Sequence, residues 1–116
     1  ELMPPNRIKA IGDRARVGGG EIVKLLGTGS AYYAPAAATV LMVDSILNDS
    51  NHILPCSVYA TGQYGINNLY IGLPAKLGRA GVTEILEVNL DPADKQLLLN
   101  SAEEYYKSVS EIDALM

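Results

Sequence analysis

Residues 69–77, "LYIGLPAKL", decide the fold of this chain. Leu69, Ile71, Leu73, Ala75 and Leu77 alternate with Tyr70, Gly72, Pro74 and Lys76. A strict period of two places all the apolar members on one face of a strand, so residues 69–78 read as a half-buried β-strand. The neighbours on both sides carry the same grammar. "ILPCSVYA" (53–60) is strand-like, with Pro55 restricting it to a sheet edge or a strand start. "TGQYGINN" (61–68) carries turn chemistry, and Arg79-Ala80-Gly81 makes a tight turn. Leu86, Val88 and Leu90 then share a phase, which predicts a third strand. Strands this close in sequence pair most simply as an antiparallel meander.

Helical signals flank the sheet. On its C-terminal side, Asp91 suits an N-cap, Pro92 the first helical position, and Asp94 adds negative charge to the first turn. Leu98, Ala102, Tyr105, Val109 and Ile112 fall on one face of that helix. On the N-terminal side, Pro4 or Pro5 opens a helix over residues 5–17, supported by Ile8, Ile11 and Ala15. Gly18-Gly19-Gly20 should interrupt it, since each glycine costs about 1 kcal/mol against alanine, and Glu21–Leu26 resumes helical spacing. Two helical pieces with a kink or break are expected. A further helix starts with Pro35 at its first position and runs to Asn48. It has a narrow polar stripe of Asp44, Ser45 and Asn48, and an apolar remainder that needs cover on most sides. The fold class is α+β: helices packed on a small antiparallel sheet, with a C-terminal helix.

Bulk properties narrow the function. A length of 116 residues fits one domain with one modest core. A formal charge of −4 without a Lys/Arg cluster argues against nucleic acid as a partner. No apolar run reaches the roughly 18–20 residues of a membrane helix, so no membrane partner is expected. The single Cys56 cannot form an internal disulfide, which points to a reducing compartment and a cytoplasmic location. Glu1-Leu2-Met3-Pro4-Pro5 has neither a basic n-region nor an apolar h-region, and reads like a chain that starts in the middle of something.

The stretch "GTGSAYYAPAAA" (27–38) looks most like a site. Gly27-x-Gly29 begins a dinucleotide fingerprint, but Tyr32 stands at the third glycine position and a helical segment precedes it. Gly18-Gly19-Gly20 lacks the Lys-Ser/Thr of a P-loop. His52 reads as a surface turn histidine, Cys56 as a small buried residue, and Arg14 and Arg16 as a solvated helix face. One histidine and one cysteine do not assemble a structural zinc site, so no metal is expected. Ser30 is different. The helix that follows offers unpaired N–H groups and partial positive charge, and a hydroxyl beside them suits the wall of an anion pocket, with Ala34 leaving room for a flat ring. The competing reading is that Ser30 satisfies only local backbone. The residues by themselves do not reach a reaction.

The order of these pieces resembles the NAD-dependent lactate/malate dehydrogenases in their substrate-binding half. "DRARVGGGEIVKLLGTGSAYYAPAAA" (13–38) is similar to the corresponding stretch of malate dehydrogenases of the lactate-dehydrogenase-like type. The likeness continues through "LPCSVYATGQYGINNLYIGLPAKLGRAGVTEILEVNLDPADKQLLLNSAEE" (54–104). Ala15 where threonine is common, Gly12 and Asn89 are small departures. The resemblance implies that residues 1–116 are the C-terminal portion of the substrate-binding domain. It implies reversible oxidation of (S)-malate to oxaloacetate, with NAD held mainly by an N-terminal Rossmann domain outside this chain. The family's glycine fingerprint, substrate-clamping arginines and Asp–His pair all belong to that preceding part. No catalytic residue therefore falls in this segment, His52 does not correspond to the proton-relay histidine, and the segment alone should be inactive. Ser30 and Ala34 match positions bordering the nicotinamide and the substrate. A homodimer or homotetramer is implied, with the apolar helix against a neighbouring subunit. Lactate or another 2-hydroxy acid as substrate, and a non-catalytic oligomerisation module, are the alternatives.

Overall fold

The computed structural model describes residues 3–115. In chain order these form α1 (Pro5–Leu26), α2 (Tyr33–Leu47), β1 (His52–Thr61), a 3-10 turn (Gln63–Gly65), β2 (Asn67–Gly78), β3 (Gly81–Ile85) and α3 (Pro92–Asp113). The fold is α+β, and the chain divides after Leu41 into two compact units.

In the first unit, α1 corrects the expected break: it runs unbroken through Gly18-Gly19-Gly20. These glycines keep ordinary helical signs of φ, because the propensity cost of glycine weakens a helix without forbidding it. Arg14 spans the glycines, donating from Nε and Nη2 to the two carboxylate oxygens of Glu21 at 3.0 and 2.7 Å. A Cβ on Gly19 would meet the Ala31 methyl at 3.8 Å, an ordinary contact. The helix ends where Gly27 turns left-handed at φ 74° and donates its N–H to the Val23 carbonyl.

In the second unit, β1, β2 and β3 form the expected antiparallel meander in the order β1-β2-β3. The inward set Cys56, Val58 and Ala60 of β1 and Leu69, Ile71, Leu73, Ala75 and Leu77 of β2 is buried. Ala102 of α3 joins this core, with Leu98, Leu99 and Met42 packed at its margin. Asp91 caps α3 as its sequence suggests, its carboxylate accepting the Asp94 N–H at 2.8 Å. Farther along the same face, Tyr105, Val109 and Ile112 are exposed.

Two prolines organise the sheet. Pro55 faces Pro74 across the β1–β2 ladder. Neither has an N–H, so the pair occupies a position where antiparallel partners exchange no bonds. Pro74 consequently directs its backbone toward β3, where its carbonyl accepts the Leu86 N–H at 2.8 Å. It has no N–H to return. The third strand therefore lies earlier than Leu86, Val88 and Leu90 suggested: β3 covers Gly81–Ile85, Leu86 keeps its one bond to Pro74, and residues 86–90 leave the sheet as a strap.

Two tyrosine hydroxyls stand in for missing backbone partners. Tyr64 lies in the 3-10 turn at a left-handed φ of 55°. Its hydroxyl donates to the Val88 carbonyl at 3.1 Å and accepts the Val88 N–H at 2.6 Å. Tyr106 of α3 does the same for Asn67, next to the bulge at Ala60/Thr61. Ser45 was expected on a polar stripe, yet it is fully buried. Its hydroxyl donates to the Leu77 carbonyl at 2.8 Å and accepts the His52 N–H at 3.2 Å, tying the end of α2 to both long strands. Among the described residues no helix is long and apolar enough to cross a membrane.

Candidate functional site

The candidate site is the loop from Gly27 to Tyr32 together with the first turn of α2. Two left-handed glycines shape it, Gly27 and Gly29 at φ 87°. The rings of Tyr32 and Tyr33 pack at 4.8 Å between centroids, tilted by 37°. The helix starts at Tyr33, so Pro35 is its third residue and not its first as the sequence suggested. That shift has a chemical consequence. The first intrahelical bond is Ala36 N–H to the Tyr32 carbonyl, at 2.9 Å. The N–H groups of Tyr33 and Ala34 precede it, and Pro35 has none to offer. The donors at this helix start thus belong to Tyr33 and Ala34, on the loop side of the proline.

Ser30 and Ala34 are both exposed. Among the described residues the Ser30 hydroxyl has no hydrogen-bond partner. The first turn of α2 contains no acidic side chain, and residues 27–39 carry no charged residue at all. The segment is uncharged and offers the Ser30 hydroxyl, two amide N–H groups near the positive end of a helix dipole and the Ala34 methyl, alongside the hydroxyls of Thr28, Tyr32 and Tyr33. It suits a neutral carboxamide or the edge of a carboxylate, and residues 27–39 include no histidine or carboxylate to shuttle a proton near neutral pH.

The other candidates have settings of their own. Arg14 is engaged by Glu21. That hydrogen bond, and then the charge attraction, raise the guanidinium's pKa and lower that of the carboxyl. Arg16 pairs with Asp13 at 3.1 Å on the same exposed surface. His52 opens β1 with its side chain exposed. Cys56 is buried, and desolvation pushes its thiol's pKa up. The described residues contain no group of three or more His, Cys, Asp or Glu able to hold a metal ion. The concavity along α1, lined by residues such as Ile11, Arg14, Gly18 and Leu25, includes neither Ser30 nor Ala34. Tyr64 and Ser45 escaped the sequence reading. A tyrosine between glycines and a serine on a helix give no signal of the distant backbone groups they bind.

Comparison with known proteins is consistent over the whole chain. The family model described as lactate/malate dehydrogenase, alpha/beta C-terminal domain, matches residues 2–116. A malate dehydrogenase of Chloroherpeton thalassium is 54% identical over 116 residues, covering 100% of this chain and 37% of the relative. Among solved structures, malate dehydrogenase from Salinibacter ruber superposes with a TM-score of 0.84 at 45% identity, covering 98% of this chain and 37% of that one. Lactate dehydrogenase from Eimeria maxima, solved with NADH and oxamate, gives a TM-score of 0.81 at 38% identity, covering 97% and 36%. The chain thus spans little more than a third of the length of these relatives. The sheet, its flanking helices and this end-to-end match place the chain in the lactate/malate dehydrogenase family, within the C-terminal domain.

Proposed function

We propose that this chain is the C-terminal portion of the substrate domain of an NAD-dependent malate dehydrogenase, which interconverts (S)-malate and oxaloacetate. The observation that carries this reading is the 54% identity, without loss of any part of the chain, to a protein named malate dehydrogenase.

When bound, the nicotinamide cofactor supplies the ring carbon that accepts or returns a hydride. The described residues offer no glycine cradle for its pyrophosphate, so this chain contributes a flank and not the main binding surface. Ser30 and the N–H groups of Tyr33 and Ala34 fit the carboxamide and the near edge of the substrate. Ala34 leaves room beside the ring. These groups orient and exclude water, and proton transfer falls to residues outside this chain. The exposed apolar side chains of α2, including Val40, Val43 and Leu47, support a homodimer or homotetramer in which this helix is covered. A lone buried thiol fits a reducing, cytoplasmic setting.

The test is NADH oxidation by the complete protein with oxaloacetate and with pyruvate. Turnover of oxaloacetate is expected to dominate, and activity with pyruvate alone would overturn the assignment. Ser30→Ala in that protein should lower kcat/KM for oxaloacetate by the equivalent of about 1–3 kcal/mol, the usual range for a lost partner in a buried polar contact. An unchanged kcat/KM would remove Ser30 from the site.

A further inference from the structure

We infer that the strap Leu86–Leu90 is a two-position element, held off the sheet by Tyr64 and Glu87 and able to close onto the open edge of β2 as an extension of β3. Strand parity fixes which backbone groups are open. Pro55 and Pro74 face each other without exchanging hydrogen bonds, and the β1–β2 register is unbroken from there to Ala60. Two residues along, Ser57 and Gly72 occupy the same kind of position, so the Gly72 N–H and C=O point away from β1, toward the side of β3. No described strand reaches them, because β3 ends opposite Ala75 at Ile85. Gly72 is exposed, and a Cβ placed on it would meet nothing within 4 Å.

The strap has the register to fill this edge. Ile85 pairs with Ala75, and the Leu86 N–H already reaches the Pro74 carbonyl. Continuing that ladder by two residues sets Val88 against Gly72. Both backbone groups of Val88 are instead taken by the Tyr64 hydroxyl, at 2.6 and 3.1 Å. The phenol occupies the place of a strand partner. The gap that results is a mostly apolar cleft whose lining includes Tyr64, Gly72, Val88, Leu90 and Leu98, with Asp94 its one acidic member.

Glu87 is the second catch. Its carboxylate accepts the Tyr64 N–H at 2.5 Å. In the closed register Glu87 would stand opposite Leu73, on the face that carries the core, where a carboxylate is costly. The missing N–H of Pro74 weakens closure from the other side. Three residues thus bias one segment, and the segment leads directly into the N-cap of α3 at Asp91.

Amide hydrogen exchange, read residue by residue, tests this. In the complete protein, taken as the parent, the Val88 amide should be protected and the Gly72 amide should exchange fast. The double substitution Tyr64→Phe with Glu87→Leu removes both catches, and Gly72 exchange should slow about tenfold or more while Val88 stays protected. Pro74→Ala, which keeps both catches and restores the ladder N–H, should slow Gly72 in the same direction and covers the case in which the double variant does not fold. A folded variant of either kind with Gly72 exchanging as in the parent overturns the closed position and leaves Tyr64 as a fixed tie.

Discussion

Ser45 carries the largest single-residue consequence in the structure. It is fully enclosed, and one hydroxyl serves a carbonyl of β2 and an amide of β1. Ser45→Ala leaves both backbone groups without a partner where water does not reach, so a loss of about 1–3 kcal/mol is expected, read as a lower denaturant midpoint at unchanged slope. Gly78 is constrained by its neighbours: a Cβ there would lie 2.9 Å from both Asp49 Oδ1 and Asn51 Oδ1. Asp49 Oδ1 also accepts the Arg79 N–H at 2.8 Å, so it does not give way freely. Gly78→Ala should destabilise by about 1–3 kcal/mol, in the range of overpacked sites, with the same readout. Neither residue announces itself in the sequence. A serine in an apolar helix reads as part of a polar stripe, and what buries it lies about thirty residues away. Ser30 and Ala34 owe their proposed role to family likeness, since a hydroxyl in a glycine loop is chemically ambiguous by itself.

At the scale of elements, local signals were decisive wherever local physics sets the outcome. The alternation in β1 and β2, the Arg79-Ala80 turn and the Asp91-Pro92 helix start all appear as read. The failures came where a weak local preference met an unseen partner. The glycines of α1 were read as a break, although propensity is only a bias that a continuous helix can absorb. Gly20→Ala therefore tests the helix directly. Its added Cβ meets nothing within 4 Å, and helix stability should rise by about 0.5–1 kcal/mol; a loss would mean that the backbone at Gly20 is not helical. At the other end of the chain, Asp91→Ala removes the cap on Asp94 N–H and should cost about 1 kcal/mol by thermal or denaturant unfolding. The strap at 86–90 has strand phase without strand structure, because phase reports which face a residue favours and not whether its backbone finds a donor.

For the whole molecule, apolar surface and the buried thiol matter most. Leu25 is 80% exposed and Leu47 68%, and α1 buries none of its residues. The chain by itself should associate or precipitate as concentration rises, and a single sharp monomer boundary in sedimentation at high concentration would contradict that. Cys56 gives a pH signature. Burial raises the thiol's pKa in the folded chain above its value in the unfolded one. Its contribution to stability is therefore complete below the ordinary thiol range and is lost as pH climbs through the folded value. The stability gap between parent and Cys56→Ala should narrow over that alkaline window, and iodoacetamide should label Cys56 slowly until the chain is unfolded.

The facing prolines of β1 and β2 have a consequence for assembly. Sliding one strand past the other by a single residue would bring a proline nitrogen to a place that demands a donor, and would also turn every inward side chain outward. Misaligned hairpins are thus penalised twice, once in backbone bonding and once in burial. The pair works as a built-in proofreader that selects one alignment of the sheet.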